Sequence, residues 1–253
     1  GNYRLFVRYK MPRILGLDVS GVIKKLGAGV TEFKVGDEVY ASPRHDLPGC
    51  YAEMTCVRVA DLALKPKQIS HQQAAGLPLV FETAWQSLVD SANLQEGEHC
   101  FIQAGSGGVG SVAIQIAKDR GAKVTTTCSS RNHELVRRLG ADNVIDYHDT
   151  RFEEALSDMD VCLDTLGVDS VRVARGIMRR GGRIVGITPN LPAQIKRWGP
   201  FLGFIAVGLS IASTVIASAV RGVKTRFVTR VPSGDTLRHC NEMIERGALE
   251  PVV

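Results

Sequence analysis

The chain has 253 residues, 44% of them apolar and 23% charged, enough for one large or two small hydrophobic cores. That composition excludes a disordered, collagenous or disulfide-stapled chain. Net charge is +5, from 31 basic and 26 acidic residues without a long basic run, and aromatics are only 6%, so no nucleic-acid partner is expected.

The chain opens Gly1-Asn2-Tyr3-Arg4 with no apolar run of a secretory signal behind it. Residues 14–23, 38–41 and 51–59 are apolar or alternating and predict short strands, with turns at Gly27-Ala28-Gly29 and Gly36-Asp37. At Ser70 the period changes. Ser70 and Gln73 form a capping-box pattern that opens a helix, and helical spacing continues over 83–92. From His99 onward strand and helix alternate. Strands are predicted at 100–104, 123–128, 143–146, 160–164, 183–187 and 226–230, with helices over 109–120 and 131–139 closed by Gly121 and Gly140. Strands apolar on both faces mean a parallel sheet between helix layers. The fold class is therefore α/β: a β-rich domain followed by a doubly wound domain.

Six cysteines, Cys50, Cys56, Cys100, Cys128, Cys162 and Cys240, form no CxxC pair, and three lie in apolar strand-like runs. They read as buried thiols in a reducing compartment, the cytoplasm or alternatively the mitochondrion.

Between the first strand and first helix of the alternating region lies Ala104-Gly105-Ser106-Gly107-Gly108-Val109-Gly110. Gly107 would permit a tight turn and let backbone amides approach a pyrophosphate. Gly110 would let the helix pack on the strand, and the helix N-terminus would face the negative charge. In this context the turn predicts a bound dinucleotide. An NAD site places Asp or Glu at the end of the second strand. Here that end reads Thr127-Cys128-Ser129-Ser130-Arg131, with no acid before Glu134. Hydroxyls and a guanidinium suit a 2′-phosphate, so NADPH is the expected cofactor.

Four ordered motifs carry a resemblance. They are the run from Leu15-Gly16-Leu17-Asp18 to Gly21-Val22, then Val35-Gly36-Asp37-Glu38-Val39, then Ala74-Ala75 with Thr83-Ala84-Trp85, then the glycine-rich turn. Together they resemble a zinc-less medium-chain dehydrogenase/reductase of the quinone oxidoreductase branch. The last third, with Arg221-Gly222-Val223 and Ser233-Gly234, is similar to the mitochondrial reticulon-interacting subgroup. The resemblance implies an incomplete GroES-like domain over 1–75, a Rossmann domain over 76–232 and, from 233 to 253, the start of a segment returning to the first domain. It implies too that the chain is a fragment of a longer protein.

Carried over by residue, the resemblance puts Tyr3 and Thr83 near the nicotinamide and Ser106, Gly107, Gly108, Val109 and Gly110 at the pyrophosphate. Ser129 would meet the 2′-phosphate, Tyr147 the adenosine end, and Thr165 and Ile187 the cofactor's path. The family usually carries Lys near position 133; here it is His133, with Arg131 as the substitute.

Zinc relatives have Gly-His-Glu where this chain has Gly16-Leu17-Asp18, and no cysteine quartet occurs, so no metal is expected. Without a Lewis acid, the economical reaction is conjugate hydride transfer to a quinone or α,β-unsaturated carbonyl. Tyr3 is the candidate proton or hydrogen-bond donor. The alternatives are an enoyl-thioester reductase and a catalytically idle NADPH-binding partner protein.

Residues Phe201–Val220 run 20 residues without a charge, the length of a membrane span. Basic residues flank both ends and the run falls between two predicted sheet strands, which argues against spanning. A pocket wall, a homodimer contact or a membrane-surface patch is expected there instead.

Overall fold

The computed structural model describes residues 12–44, 48–188 and 191–252, and the chain forms two compact units. The first comprises residues 12–85 together with 230–252. Its sheet is an antiparallel meander of β1 (Val19–Val22), β2 (Glu38–Ala41) and β3 (Leu62–Leu64), with Val19 opposite Ala41 and Tyr40 opposite Ala63. Alternation sorts the side chains. Val39, Ala41 and Leu62 pack with Val19, Ile23, Phe33 and Val57 on one face. Tyr40 points the other way, and its hydroxyl donates to Asn241 Oδ1 at 2.7 Å.

The stretch 51–59, expected as a strand, pairs with no strand among the described residues, and Tyr51 and Met54 are exposed. Alternation fixes a strand only where one face is buried. The helix start at Ser70 is as expected. Ser70 Oγ accepts from the Gln73 amide (3.2 Å) and the Gln73 side chain accepts from the Ser70 amide (2.9 Å), opening α1 (His71–Ala75). α2 (Pro78–Trp85) follows and runs on into a π-helical turn, Gln86–Ser91.

The second unit, residues 86–229, alternates strictly. β4 (His99–Ile102), α3 (Gly108–Asp119), β5 (Lys123–Cys128), α4 (His133–Arg138), β6 (Asn143–Asp146) and α5 (Phe152–Ala155) come first. β7 (Met159–Asp164), α6 (Val168–Ala174), β8 (Met178–Gly186), α7 (Leu191–Val220) and β9 (Lys224–Phe227) complete it. The six strands are all parallel, in the order β6-β5-β4-β7-β8-β9. The chain winds outward from β4 in one direction, then returns to β7 and winds in the other. The fold is thus α/β, a β-rich unit plus a Rossmann-like, doubly wound parallel sheet. Phe101, Ile102, Ile114, Ile116, Leu163 and Ile184 are completely buried, as a sheet covered on both faces requires.

The chain returns to the first unit with α8 (Gly234–Glu245), whose start Ser233 caps by accepting from the Thr236 amide. The units divide after Trp85, later than residue 75, because α2 packs on α8 and β2.

Candidate functional site

A crevice opens outside the carboxyl ends of parallel strands where the winding direction reverses. Here the reversal lies between β4 and β7. Beyond β4 the chain is stitched to its neighbour: Thr126 Oγ1 donates to the Ile102 carbonyl (2.6 Å), the Ala104 amide to Thr127 Oγ1 (3.1 Å) and the Gly105 amide to the Thr127 carbonyl (2.9 Å). Two glycines of the turn leave no room for a side chain. A Cβ on Gly105 would stand 2.1 Å from Thr126 Oγ1, and one on Gly110 would stand 2.3 Å from the Ala104 carbonyl oxygen.

The tight turn is made differently from the expectation. Gly107 is extended (φ −78°, ψ 168°), and the left-handed residue is Ala104 (φ 50°). Gly107 is instead held by proximity, its amide donating to the Ala104 carbonyl at 2.9 Å. It is also the N-cap of α3, and having no side chain it leaves the first-turn amides without a cap. Such amides lack intrahelical acceptors and carry the positive end of the helix dipole. Ser106 lies beside them, its hydroxyl accepting from Asn132 Nδ2 at 3.0 Å.

The other predicted residues fall at neighbouring strand ends. Ser129 follows β5 and starts a 3₁₀ turn without using its hydroxyl as a cap. Arg131 is on that turn and exposed. Tyr147 follows β6, exposed, with its ring 4.3 Å from that of His148. Thr165 follows β7 and donates to the Gln103 carbonyl (3.3 Å), and the Ile187 amide beyond β8 donates to the Asp164 carbonyl (3.1 Å). Thr83 belongs to the other unit, on α2, where its hydroxyl donates to the Leu79 carbonyl (2.7 Å). Tyr3 lies outside the described residues.

Two carboxylates at the strand ends escaped sequence reasoning. Asp146 is paired in register with Cys128, and it accepts from the Ser130 amide (2.6 Å) and the His148 amide (2.9 Å). The His148 amide, then that of Ser130, holds its carboxyl below the usual range. So an acid does stand beside the end of β5, supplied by the next strand rather than by the local sequence. The signal was its position as last residue of a strand adjacent to β5. Asp164 is wholly buried and accepts from the Leu166 (3.0 Å) and Gly167 (2.8 Å) amides, while burial raises its pKa. Beside it Gln103 is also wholly buried and accepts from Ser170 Oγ at 2.8 Å.

The β-rich unit holds a second polar centre. Glu82, wholly buried, receives Arg230 Nη1 (2.5 Å) and the Ser233 amide (2.9 Å), and Arg230 also donates to the Ser42 carbonyl (3.0 Å). Burial pushes Glu82 up to about 7, against the pull of Ser233 and Arg230. Asp18 accepts from the Leu79 amide (2.9 Å), and burial raises it as well. Leu17 is half exposed and anchored through its carbonyl, which accepts from Ser42 Oγ at 2.8 Å. Among the described residues no three metal-ligating side chains come together.

Comparison with known proteins adds to this geometry. Residues 1–67 match the alcohol dehydrogenase GroES-like domain, and residues 108–219 match the zinc-binding dehydrogenase family. The chain is 35% identical over 253 residues to the mitochondrial NAD(P)H oxidoreductase RTN4IP1 of Danio rerio, covering 96% of this chain and 65% of that protein. It is 36% identical over 251 residues to the chloroplastic NADPH-dependent alkenal/one oxidoreductase of Arabidopsis thaliana, covering 96% of this chain and 56% of that protein. The chain thus spans less than two thirds of the length of either curated relative. The quinone oxidoreductase structure from Coxiella burnetii superposes with a TM-score of 0.84 at 27% identity, over all of this chain and 74% of that one.

Proposed function

Because the chain belongs to the medium-chain dehydrogenase/reductase superfamily, in its quinone oxidoreductase-like branch, we propose that it is an NADPH-dependent reductase of quinones or α,β-unsaturated carbonyls that works without zinc. The observation that carries this reading is the uncapped start of α3 behind a turn that admits no Cβ at Gly105 or Gly110. That cradle fits a pyrophosphate, which must come within hydrogen-bonding distance of several backbone amides at once.

In this reading the amides of Gly108, Val109 and Gly110 hold the pyrophosphate, which Gly107 lets approach by having no side chain, with Ser106 at its side. Ser129 and Arg131 take the 2′-phosphate, Tyr147 the adenosine end, and Thr165 and Ile187 the path between. Thr83 and Tyr3 serve the nicotinamide and the substrate oxygen. When bound, the cofactor supplies the hydride. The residues of this chain orient it, exclude water and offer hydrogen-bond donors to the oxygen on which charge develops.

The substrate class is supported by the names of the relatives, which include an alkenal/one oxidoreductase and a quinone oxidoreductase. Leu17 at the position of the zinc relatives' histidine supports a reaction without metal. The names of the relatives also support an organelle, the mitochondrion first, as the location.

The test is turnover of NADPH and of NADH by the purified chain against quinones, enones and enoyl thioesters. Oxidation of NADPH by quinones or enones is expected, with activity unchanged by chelators. Tight NADPH binding with no turnover across the panel would favour the idle binding partner. Turnover of thioesters alone would favour the enoyl reductase. Stoichiometric zinc lost together with activity would overturn the metal-free mechanism.

A further inference from the structure

Helix α7 wears its polarity inside out. Past the break at Gly199 (φ 77°), its inward stripe of Gly203, Val207, Thr214 and Ser218 is buried, small and partly polar. Arg172 of α6 reaches this side, donating to Ser210 Oγ (3.0 Å) and Thr214 Oγ1 (3.3 Å). The outward stripe is the apolar one: Phe201 (71% exposed), Leu202, Ile205, Leu209 (67%), Ile216 (64%) and Val220 (83%). Their spacing keeps them on one side of a rod roughly 30 Å long. A water-facing helix has the reverse pattern, and an uncharged apolar strip of this length marks a docking surface.

Charge identifies what docks. Residues 170–234 contain eleven Lys or Arg and no Asp or Glu, whereas the rest of the chain has 20 basic residues against 26 acidic. Lys196 and Arg197 precede the strip, and Arg221 and Lys224 follow it. All four are exposed and, among the described residues, none pairs with a carboxylate. Trp198, half exposed, sits at the strip's start with the Arg197 guanidinium 5.2 Å from its ring. An apolar strip with cations at both ends and an indole at one end fits the headgroup boundary of an anionic bilayer. A second copy of this chain would bring the same cations against themselves.

We propose that α7 lies in the plane of an anionic membrane surface, with its outward stripe among the acyl chains and Lys196, Arg197, Arg221 and Lys224 at the headgroups. It does not cross. The inward stripe stays packed on the unit, and β9 pairs with β8 shortly after the helix ends. This inference is independent of the reaction proposed above.

The full chain is sedimented with vesicles of phosphatidylcholine, alone or mixed with phosphatidylglycerol, at low and high salt. Binding to the mixed vesicles is expected, weakening with salt, with a blue shift of tryptophan emission that disappears in Trp198→Phe. Each of Lys196→Gln and Arg221→Gln should weaken partitioning by about fivefold. Leu209→Glu and, separately, Ile216→Glu should abolish it while NADPH binding and helix content stay at parent level. No preference for the anionic vesicles would overturn the proposal. So would retention in the membrane after an alkaline carbonate wash, or a soluble dimer that Leu209→Glu dissociates.

Discussion

The two units build their polar centres from opposite materials. In the Rossmann-like unit the crevice is backbone: uncapped amides at the start of α3, behind the exposed Gly107 and Gly108, in a turn packed too tightly at Gly105 and Gly110 for a side chain. In the β-rich unit the centre is side chain: Glu82 is wholly buried and paired with Arg230, and the half-buried Asp18 is held by the Leu79 amide. A backbone site is vulnerable to atoms added, and a buried ionic site to atoms removed. The second contains a group, Glu82, whose charge can change near neutral pH.

Removal from the second site should have the largest effect. Arg230→Met leaves Glu82 buried without its cation, which costs about 3–5 kcal/mol. Thermal or urea unfolding of the β-rich unit reads this directly. The double variant Glu82→Leu with Arg230→Met should recover part of the loss, since neither charge then remains buried. If the single variant unfolds like the parent, the pair is ornamental.

The same site should make stability depend on pH. Glu82 has an ordinary value of 4.5 and is pushed up to about 7 by burial. Between those values the folded chain keeps a proton that the unfolded chain has released, so stability falls as pH rises across the window. The Glu82→Gln variant should show a flatter profile there. An unchanged slope would assign the dependence to Asp18, whose pKa burial also raises.

How far each centre was legible in the sequence follows from the same contrast. The glycine turn could be read because close approach leaves one residue type, and the parallel sheet because strands buried on both faces stay apolar throughout. The pairing of Glu82 with Arg230 could not, since 148 residues separate them and neither sits in a motif. Asp146 was missed for a related reason: it comes to the end of β5 through strand register, not through local spacing. The left-handed backbone at Ala104 carries no signature, because alanine is an uncommon choice there. The 51–59 stretch shows the opposite failure, an alternating pattern with no partner strand among the described residues.

Addition to the first site should rank next. Gly110→Ala forces a methyl against the Ala104 carbonyl and within 2.7 Å of Gly105 Cα, both backbone atoms that cannot swing aside. A cost of about 1–3 kcal/mol in stability is expected, with loss of cofactor binding as the turn shifts. Gly107→Ala is the milder control. Its Cβ would lie 3.2 Å from one carbonyl oxygen in an unstrained region of backbone space. Equal penalties for the two would show that the turn tolerates displacement and that its tightness does not shape the site.

The smallest effect concerns the charged side chain proposed to meet the cofactor. If Arg131 meets the 2′-phosphate, the contact is a charge-assisted hydrogen bond, a class contributing about 1.5–3 kcal/mol. Arg131 is exposed, so solvent screens it, and the Asp146 carboxylate beside Ser130 opposes a second negative charge nearby. Both considerations place the effect at the low end, about tenfold or ~1.4 kcal/mol. Arg131→Ala should therefore weaken NADPH binding by about that factor and leave NADH almost unchanged, because only NADPH carries the group that Arg131 would meet. Raising the salt should narrow the parent's preference toward that of the variant. Fluorescence titration of both cofactors against both proteins decides the matter. Equal weakening of the two would make Arg131 an ordinary solvated residue, and a parent preference for NADH would mean that Asp146, reaching across from β6, sets the choice of cofactor.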